Sequence, residues 1–137
     1  MNQVFKTFHP LGFHTVNAYL FATKPEELID FLKKAFSAKE NNRSLTPRVK
    51  LLTASFKWGD SSFMVSQTRG EFMGMRTSFY LYVNDVDGVY KHALAHGAKI
   101  SFPPDDMPYG DRQAGVIDPA GNYWWISQRL VEEDYDE

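Results

Sequence analysis

Two short stretches of the chain alternate in side-chain character as strands do, Asn17-Ala18-Tyr19-Leu20-Phe21-Ala22 and Ser78-Phe79-Tyr80-Leu81-Tyr82-Val83. Each is followed by a segment with a helical period. In Pro25 to Phe36, the apolar residues Leu28, Phe31, Leu32 and Ala35 fall at i, i+3, i+4 and i+7, which is one face of a helix. Thr23 is the expected N-cap, Pro25 suits the first turn, and Glu26 and Glu27 suit the positive end of the helix dipole. In the second helix, Asp85 is the expected cap and Val86, Val89, Tyr90, Ala93 and Leu94 form the apolar face. Gly97 is the expected left-handed terminator. Tight turns follow, at Trp58-Gly59-Asp60-Ser61 and at Asp118-Pro119-Ala120-Gly121-Asn122, and the latter runs into the strand-forming Tyr123-Trp124-Trp125-Ile126.

The two sets are about sixty residues apart, as are the helix ends Ala35-Phe36-Ser37-Ala38 and Ala95-His96-Gly97-Ala98. Such self-similarity predicts an internal repeat. Each half reads strand, helix, then strands joined by tight turns. The expectation is one α+β domain over residues 1–137, built of two βαβββ modules, about 11–67 and about 77–129. The boundary falls between Gln67 and Thr77, with Gly70 to Met75 as a flexible link. Lys39 to Arg48 is polar and reads as a mobile loop or a short edge strand. The acidic tail, residues 130–137, reads as a solvated disordered end.

In this arrangement the chain resembles the vicinal oxygen chelate superfamily, which includes glyoxalase I, bleomycin-resistance proteins and extradiol dioxygenases. The helix Pro25 to Ala38 is similar to the family's first helix. Tyr82-Val83-Asn84-Asp85-Val86-Asp87 is similar to the entry of its second module. Tyr109-Gly110-Asp111-Arg112 through Trp124-Trp125-Ile126 resembles the PhnB-like, or glyoxalase-like, bacterial branch. The resemblance implies curved mixed sheets around a cup. It also implies a homodimer, since relatives of this size build their cups with help from a partner chain.

Composition narrows the function. Hydrophobic residues make up 43% of the chain and aromatic residues 15%, enough to fill a core. A net charge of −2 gives no general attraction to nucleic acid or to an anionic membrane, so neither is an expected partner. No apolar run is long enough for a membrane-spanning helix. No secretory leader is visible, and zero cysteines are compatible with a reducing cytoplasm, the expected location.

In metal-dependent relatives, His, Glu or Gln side chains on four strands hold the ion. The resemblance carries those positions onto Asn17, Thr53, Ser78 and Trp125. An amide, two hydroxyls and an indole lack the charge to strip water from a divalent ion. No metal and no other cofactor is therefore expected. His92 and His96 have ligand spacing, but Ala93 stands where a zincin needs Glu, and both read as exposed. His9 and His14 flank an N-terminal turn. Ser61 and Ser62 have no His-Asp partner, so no catalytic residue is assigned.

Strand alternation places Ala18, Leu20, Ala22, Phe79, Leu81 and Val83 toward the helices. Asn17, Tyr19, Phe21, Ser78, Tyr80, Tyr82, Trp125 and Ser127 then face the cup. An aromatic cup with a few hydroxyls and amides suits a small apolar or planar organic ligand, although aromatic stripes also simply fill cores. Tyr109 and Arg112 lie close to it in sequence. Arg112 either clamps an anionic group or pairs with Asp106, Asp111 or Asp118 as scaffolding. The candidate ligand-binding set is Asn17, Tyr19, Thr53, Ser78, Tyr80, Tyr109, Arg112 and Trp125. The expected function is metal-free binding of a small molecule, as in bleomycin-resistance relatives. The alternative is a glyoxalase-like lyase or isomerase, or a dioxygenase, with a non-standard site.

Overall fold

The computed structural model describes residues 8–45 and 51–135, and both expected helices form in it. The elements are β1 (Ala18–Ala22), α1 (Pro25–Phe36), β2 (Lys39–Leu45), β3 (Leu51–Trp58), β4 (Ser61–Gln67), β5 (Ser78–Tyr82), α2 (Val86–Ala95), β6 (Lys99–Asp106), β7 (Asp111–Ile117) and β8 (Tyr123–Arg129). A single 3-10 turn, Gly70–Phe72, lies between β4 and β5. Lys39–Leu45 is thus an edge strand rather than a loop, while residues 46–48 of that segment and 136–137 of the tail lie outside the described residues.

The strands form two four-stranded mixed sheets, β1-β4-β3-β2 and β5-β8-β7-β6. Each opening strand runs parallel to the last strand of its module, with Ala18 opposite Phe63 and Ser78 opposite Tyr123. The other pairings are antiparallel. The fold is α+β with the expected repeat. Neither sheet curls on itself, so the surface expected to be a cup is an open face turned away from the helices.

Local sequence explains the boundaries. Asp85 caps α2 by accepting from the Gly88 N–H at 3.1 Å. At α1 the cap position is Lys24, without a side-chain hydrogen bond, so Thr23 does not serve. Its place is taken by the Lys24 carbonyl, which accepts from Glu27 N at 3.1 Å. Ser37 closes α1 in the left-handed region at φ 60°, where the equivalent position of α2 holds Gly97 at φ 110°.

One continuous core joins the two modules. Leu20, Ala22, Phe56 and Val65 of the first sheet, and Val116, Trp124 and Ile126 of the second, are all buried on the helix-facing sides. Leu28, Phe31, Leu32 and Ala35 of α1 meet the first set, and Val86, Tyr90 and Ala93 of α2 the second. Burying each large apolar side chain contributes about 1.5–3 kcal/mol. Phe36, at the end of α1, bridges the modules: its ring lies 5.0 Å from Phe31, 5.1 Å from Trp58 and 4.9 Å from Trp124.

Candidate functional site

The edge strands β1 and β5 leave a cavity of about 250 Å³ at the seam between modules. Its walls are Trp58, Phe63, Phe79, Leu81 and Trp124, with Asn17, Ser61, Ser62 and Tyr80 supplying polar groups. Sequence makes the walls rigid. Phe79 stacks on Trp124 at 4.3 Å, and the Trp124 indole N–H donates to Asp118 at 2.8 Å. Asp118 is buried and also accepts from the N–H groups of Ala120 and Asn122 at 2.8 and 3.0 Å. The Asp-Pro-x-Gly-Asn turn therefore fixes one wall of the cavity.

A second concentration of chemistry lies on the open face of the β5-β8-β7-β6 sheet. Asp111 and Gln113, two apart on β7, point there together and are fully buried or nearly so. Gln113 donates to Tyr80 Oη at 2.5 Å and to Ser127 Oγ at 2.7 Å, and accepts from Tyr109 at 2.6 Å. Asp111 accepts from Tyr80 at 2.8 Å, Tyr135 at 2.7 Å and Arg129 at 3.1 Å. Burial alone pushes the Asp111 carboxyl up. The hydrogen bonds from Tyr135, Tyr80 and Arg129 outweigh it and hold the group below the ordinary carboxylate value. The Tyr80 phenol is raised, chiefly by burial. Beside this network Phe102, Pro103, Pro104, Met107 and Trp125 border an apolar hollow of about 450 Å³. Gly115 makes room for the Phe102 ring: a Cβ there would stand 2.3 Å from it.

The open face of the β1-β4-β3-β2 sheet is simpler. Thr53 donates to Ser66 at 2.8 Å, and Ser66 donates to the Tyr19 hydroxyl at 3.0 Å. The Tyr19 and Phe21 rings are 4.7 Å apart, and Phe21 stacks on Phe72.

The eight residues expected from sequence are thus divided. Tyr80 and Tyr109 meet through Gln113, and Tyr19 and Thr53 meet through Ser66. Trp125 and Ser78 border an open hollow with Arg76 and Tyr123. Asn17 lines the seam, its amide closed on the His14 backbone at 2.8 and 2.9 Å. Arg112 stands on the opposite face from Asp111 and Gln113, paired at 2.9 Å with Asp87 of α2 and with Asp106. The sequence reading missed Asp111, Gln113, Arg129 and Tyr135. For the first two a signal existed: two polar residues at strand period on β7, whose last four residues, Ala114 to Ile117, are apolar or glycine. The tail, expected to be disordered, instead folds back as far as Tyr135, with Leu130 N donating to Gly110 O at 2.8 Å.

Residues 12–126 match the family described as the Glyoxalase/Bleomycin resistance protein/Dioxygenase superfamily. The chain belongs to that superfamily. Among its relatives is Uncharacterized protein Rv0887c of Mycobacterium tuberculosis (strain ATCC 25618 / H37Rv), 30% identical over 133 residues, covering 89% of this chain and 78% of the relative. The solved structure of TioX from Micromonospora sp. ML1 superposes with a TM-score of 0.71 at 25% identity, over 85% of this chain and 99% of that one. Lactoylglutathione lyase from Agrobacterium tumefaciens shares the fold, with a TM-score of 0.64 at 17% identity over 84% and 92% of the two chains.

The metal-dependent pattern implied by the resemblance is a set of His, Glu or Gln donors, and the residues here do not supply it. Asn17, Thr53, Ser78 and Trp125 stand at the implied positions, and the Asn17 and Thr53 groups are already hydrogen-bonded within the protein. Among the described residues no group of three or more His, Cys, Asp or Glu side chains is placed to hold an ion. His92 and His96 are exposed on α2 with ring centres 6.1 Å apart.

Proposed function

We propose that this superfamily member binds a small planar aromatic molecule, without a divalent metal, and holds it rather than transforms it. The seam cavity carries this proposal. An engineered apolar cavity of roughly 150 Å³ binds benzene, so the space of about 250 Å³ here suits one larger ring system. Trp58, Phe79 and Trp124 offer ring faces and edges for stacking. His14, Ser61 and Ser62 also line the cavity. The His14 ring is bonded to the Asp60 carbonyl, the Ser62 hydroxyl donates to the Gly12 carbonyl and the Ser61 hydroxyl to the Asp60 carboxylate. Among the described residues neither serine is bonded to the imidazole, which favours sequestration over lyase or dioxygenase chemistry.

The same proposal includes a homodimer. Phe8, Leu11 and Val16 are 89%, 88% and 84% exposed, Val16 on the seam cavity itself, and a second copy would bury them. Light scattering at tens of micromolar is expected to give twice the chain mass.

Titration with quinoline, followed by NMR of the tryptophan indole N–H groups, tests the site. The Trp58 and Trp124 signals are expected to shift saturably. Trp58→Ala should weaken binding by about 1–3 kcal/mol, the scale of an aromatic anchor. Trp125→Ala, outside the cavity, should leave it unchanged. A loss with Trp125→Ala alone would move the site to the open face. Zinc, nickel, iron or manganese co-purifying in stoichiometric amount, with turnover lost on its removal, would overturn the proposal.

A further inference from the structure

Arg129 and the tail build a second site around Asp111. The Arg129 guanidinium holds the chain end by donating to the Glu133 carbonyl at 3.0 and 2.8 Å and to the Asp134 carbonyl at 3.2 Å. It also lies over the Tyr135 ring, 4.1 Å from its centre. The Tyr135 hydroxyl donates to Asp111 at 2.7 Å and meets the Tyr82 hydroxyl at 2.5 Å. The Tyr109 ring stands 6.5 Å away at a tilt. Four groups thus converge on one aromatic ring carrying one hydroxyl: a buried carboxylate, a phenol, a cation over the ring face and a neighbouring ring.

The seat does not depend on its present occupant. Asp111 is 0% exposed and is also held by Tyr80, while Gln113 ties Tyr80 to Ser127 and Tyr109. Tyr135, by contrast, is 43% exposed and belongs to a tail that, among the described residues, is held by the contacts above and the Leu130 hydrogen bond. When the tail lifts, a buried carboxylate oxygen loses a donor, and a cation loses its ring. Water restores the hydrogen bond but not the ring. An anion is repelled by Asp111, and an alkane offers no proton.

From this geometry we infer that the open face around Asp111 is a binding subsite for an aryl hydroxyl group, and that Tyr135 fills it as an internal stand-in which a phenolic ligand displaces. The inference is independent of the seam cavity. Its chemistry is reversible binding: the ligand's O–H donates to Asp111 Oδ2 and its ring takes the place under Arg129. The tail then sets the affinity, because any ligand must compete with a ring tethered to the same chain.

The test uses p-cresol as the probe and the full chain carrying Tyr135→Ala, with NMR shifts of the Asp111 and Gln113 backbone amides as the local reporter. p-Cresol is expected to bind the variant about tenfold or more tightly than the parent, the scale of one charge-assisted hydrogen bond freed from competition. Toluene, lacking the hydroxyl, and cyclohexanol, lacking the aromatic face, should not gain. Tyr135→Phe should fall between parent and Tyr135→Ala, since its ring stays but its proton donor is gone. Tyr82→Phe added to Tyr135→Ala should reduce the gain without disturbing the buried carboxylate. Equal p-cresol affinity in parent and variant at these amides would overturn the inference, as would equal binding of p-cresol and toluene. Shifts confined to the Trp58 indole in both proteins would also overturn it, while leaving the seam cavity as a ligand site.

Discussion

The two related turns of the repeat make a controlled experiment, because the same residue type does different work in each. Asp118 is buried and accepts from Ala120 N, Asn122 N, the Asn122 amide and the Trp124 indole, at 2.8, 3.0, 3.0 and 2.8 Å. In Asp118→Ala the Asn122 and Trp124 donors are left inside the protein without partners. Each such loss costs about 1–3 kcal/mol, so with three donors stranded the variant should lose about 3 kcal/mol or more in total. Asp118→Asn keeps one acceptor oxygen but turns an N–H₂ toward the indole, and should lose about half as much. Asp60 is exposed, and among the described residues its side chain accepts only from Ser61 Oγ, at 3.3 Å. Asp60→Ala should therefore cost about 0.5 kcal/mol or less. Urea unfolding followed by far-UV circular dichroism gives all three numbers. If Asp118→Ala stays within about 1 kcal/mol of the parent, or if Asp60→Ala matches it, the turn does not anchor Trp124 as argued. The seam supplies a second readout, because releasing the indole should also weaken quinoline binding.

Ser37 holds a left-handed conformation that favours glycine, so Ser37→Gly should raise stability by about 1 kcal/mol in the same assay; a loss of stability would show that the Ser37 side chain contributes more than its backbone strain. Glu40 should give an acid-dependent term. The Arg43 guanidinium and the Lys33 ammonium, each 2.6 Å from a different carboxylate oxygen, hold its carboxyl near 2, against an ordinary 4.5. A depressed folded-state value means stability that is complete above about 4.5 and lost as pH falls toward 2. Because the pair is partly solvated, the term should be about 1–3 kcal/mol. Glu40→Gln should flatten the pH dependence of the urea midpoint between pH 5 and pH 2 by about that amount, and an unchanged slope would refute the role of Glu40.

The fold was legible because every signal for it is local. Helix period, strand alternation and turn chemistry each occupy a dozen residues or fewer, and their recurrence at a fixed interval supplied the topology. The facing of Tyr19, Tyr80 and Trp125 followed from the same alternation. What was not legible depends on distant partners. Asp111 and Gln113 acquire meaning only when β5 brings Tyr80 beside them and the chain end brings Tyr135. The tail's acidic composition spoke for disorder, yet Arg129 grips its backbone carbonyls, which composition does not encode. Thr23 failed as a cap because the Lys24 carbonyl meets the first helix turn. Arg112 sits one residue from Asp111, and applying the strand period from Asp111 would have turned it toward α2.

The outer edges of the two sheets bear on self-association. The edge strand β6 carries Pro103 and Pro104 side by side, and its register against β7 slips between Phe102 and Asp105. Proline has no N–H to offer, so this border presents an interrupted ladder to any approaching chain. The edge strand β2 is charged, with Lys39, Glu40 and Arg43, and bulges between Glu40 and Asn42. Both borders thus carry the devices that blunt runaway sheet extension. A second copy that docks in an ordered way is steered away from these margins, toward the apolar N-terminal segment and the open faces. The features that discourage fibre growth would thereby also select which surfaces a closed dimer can use.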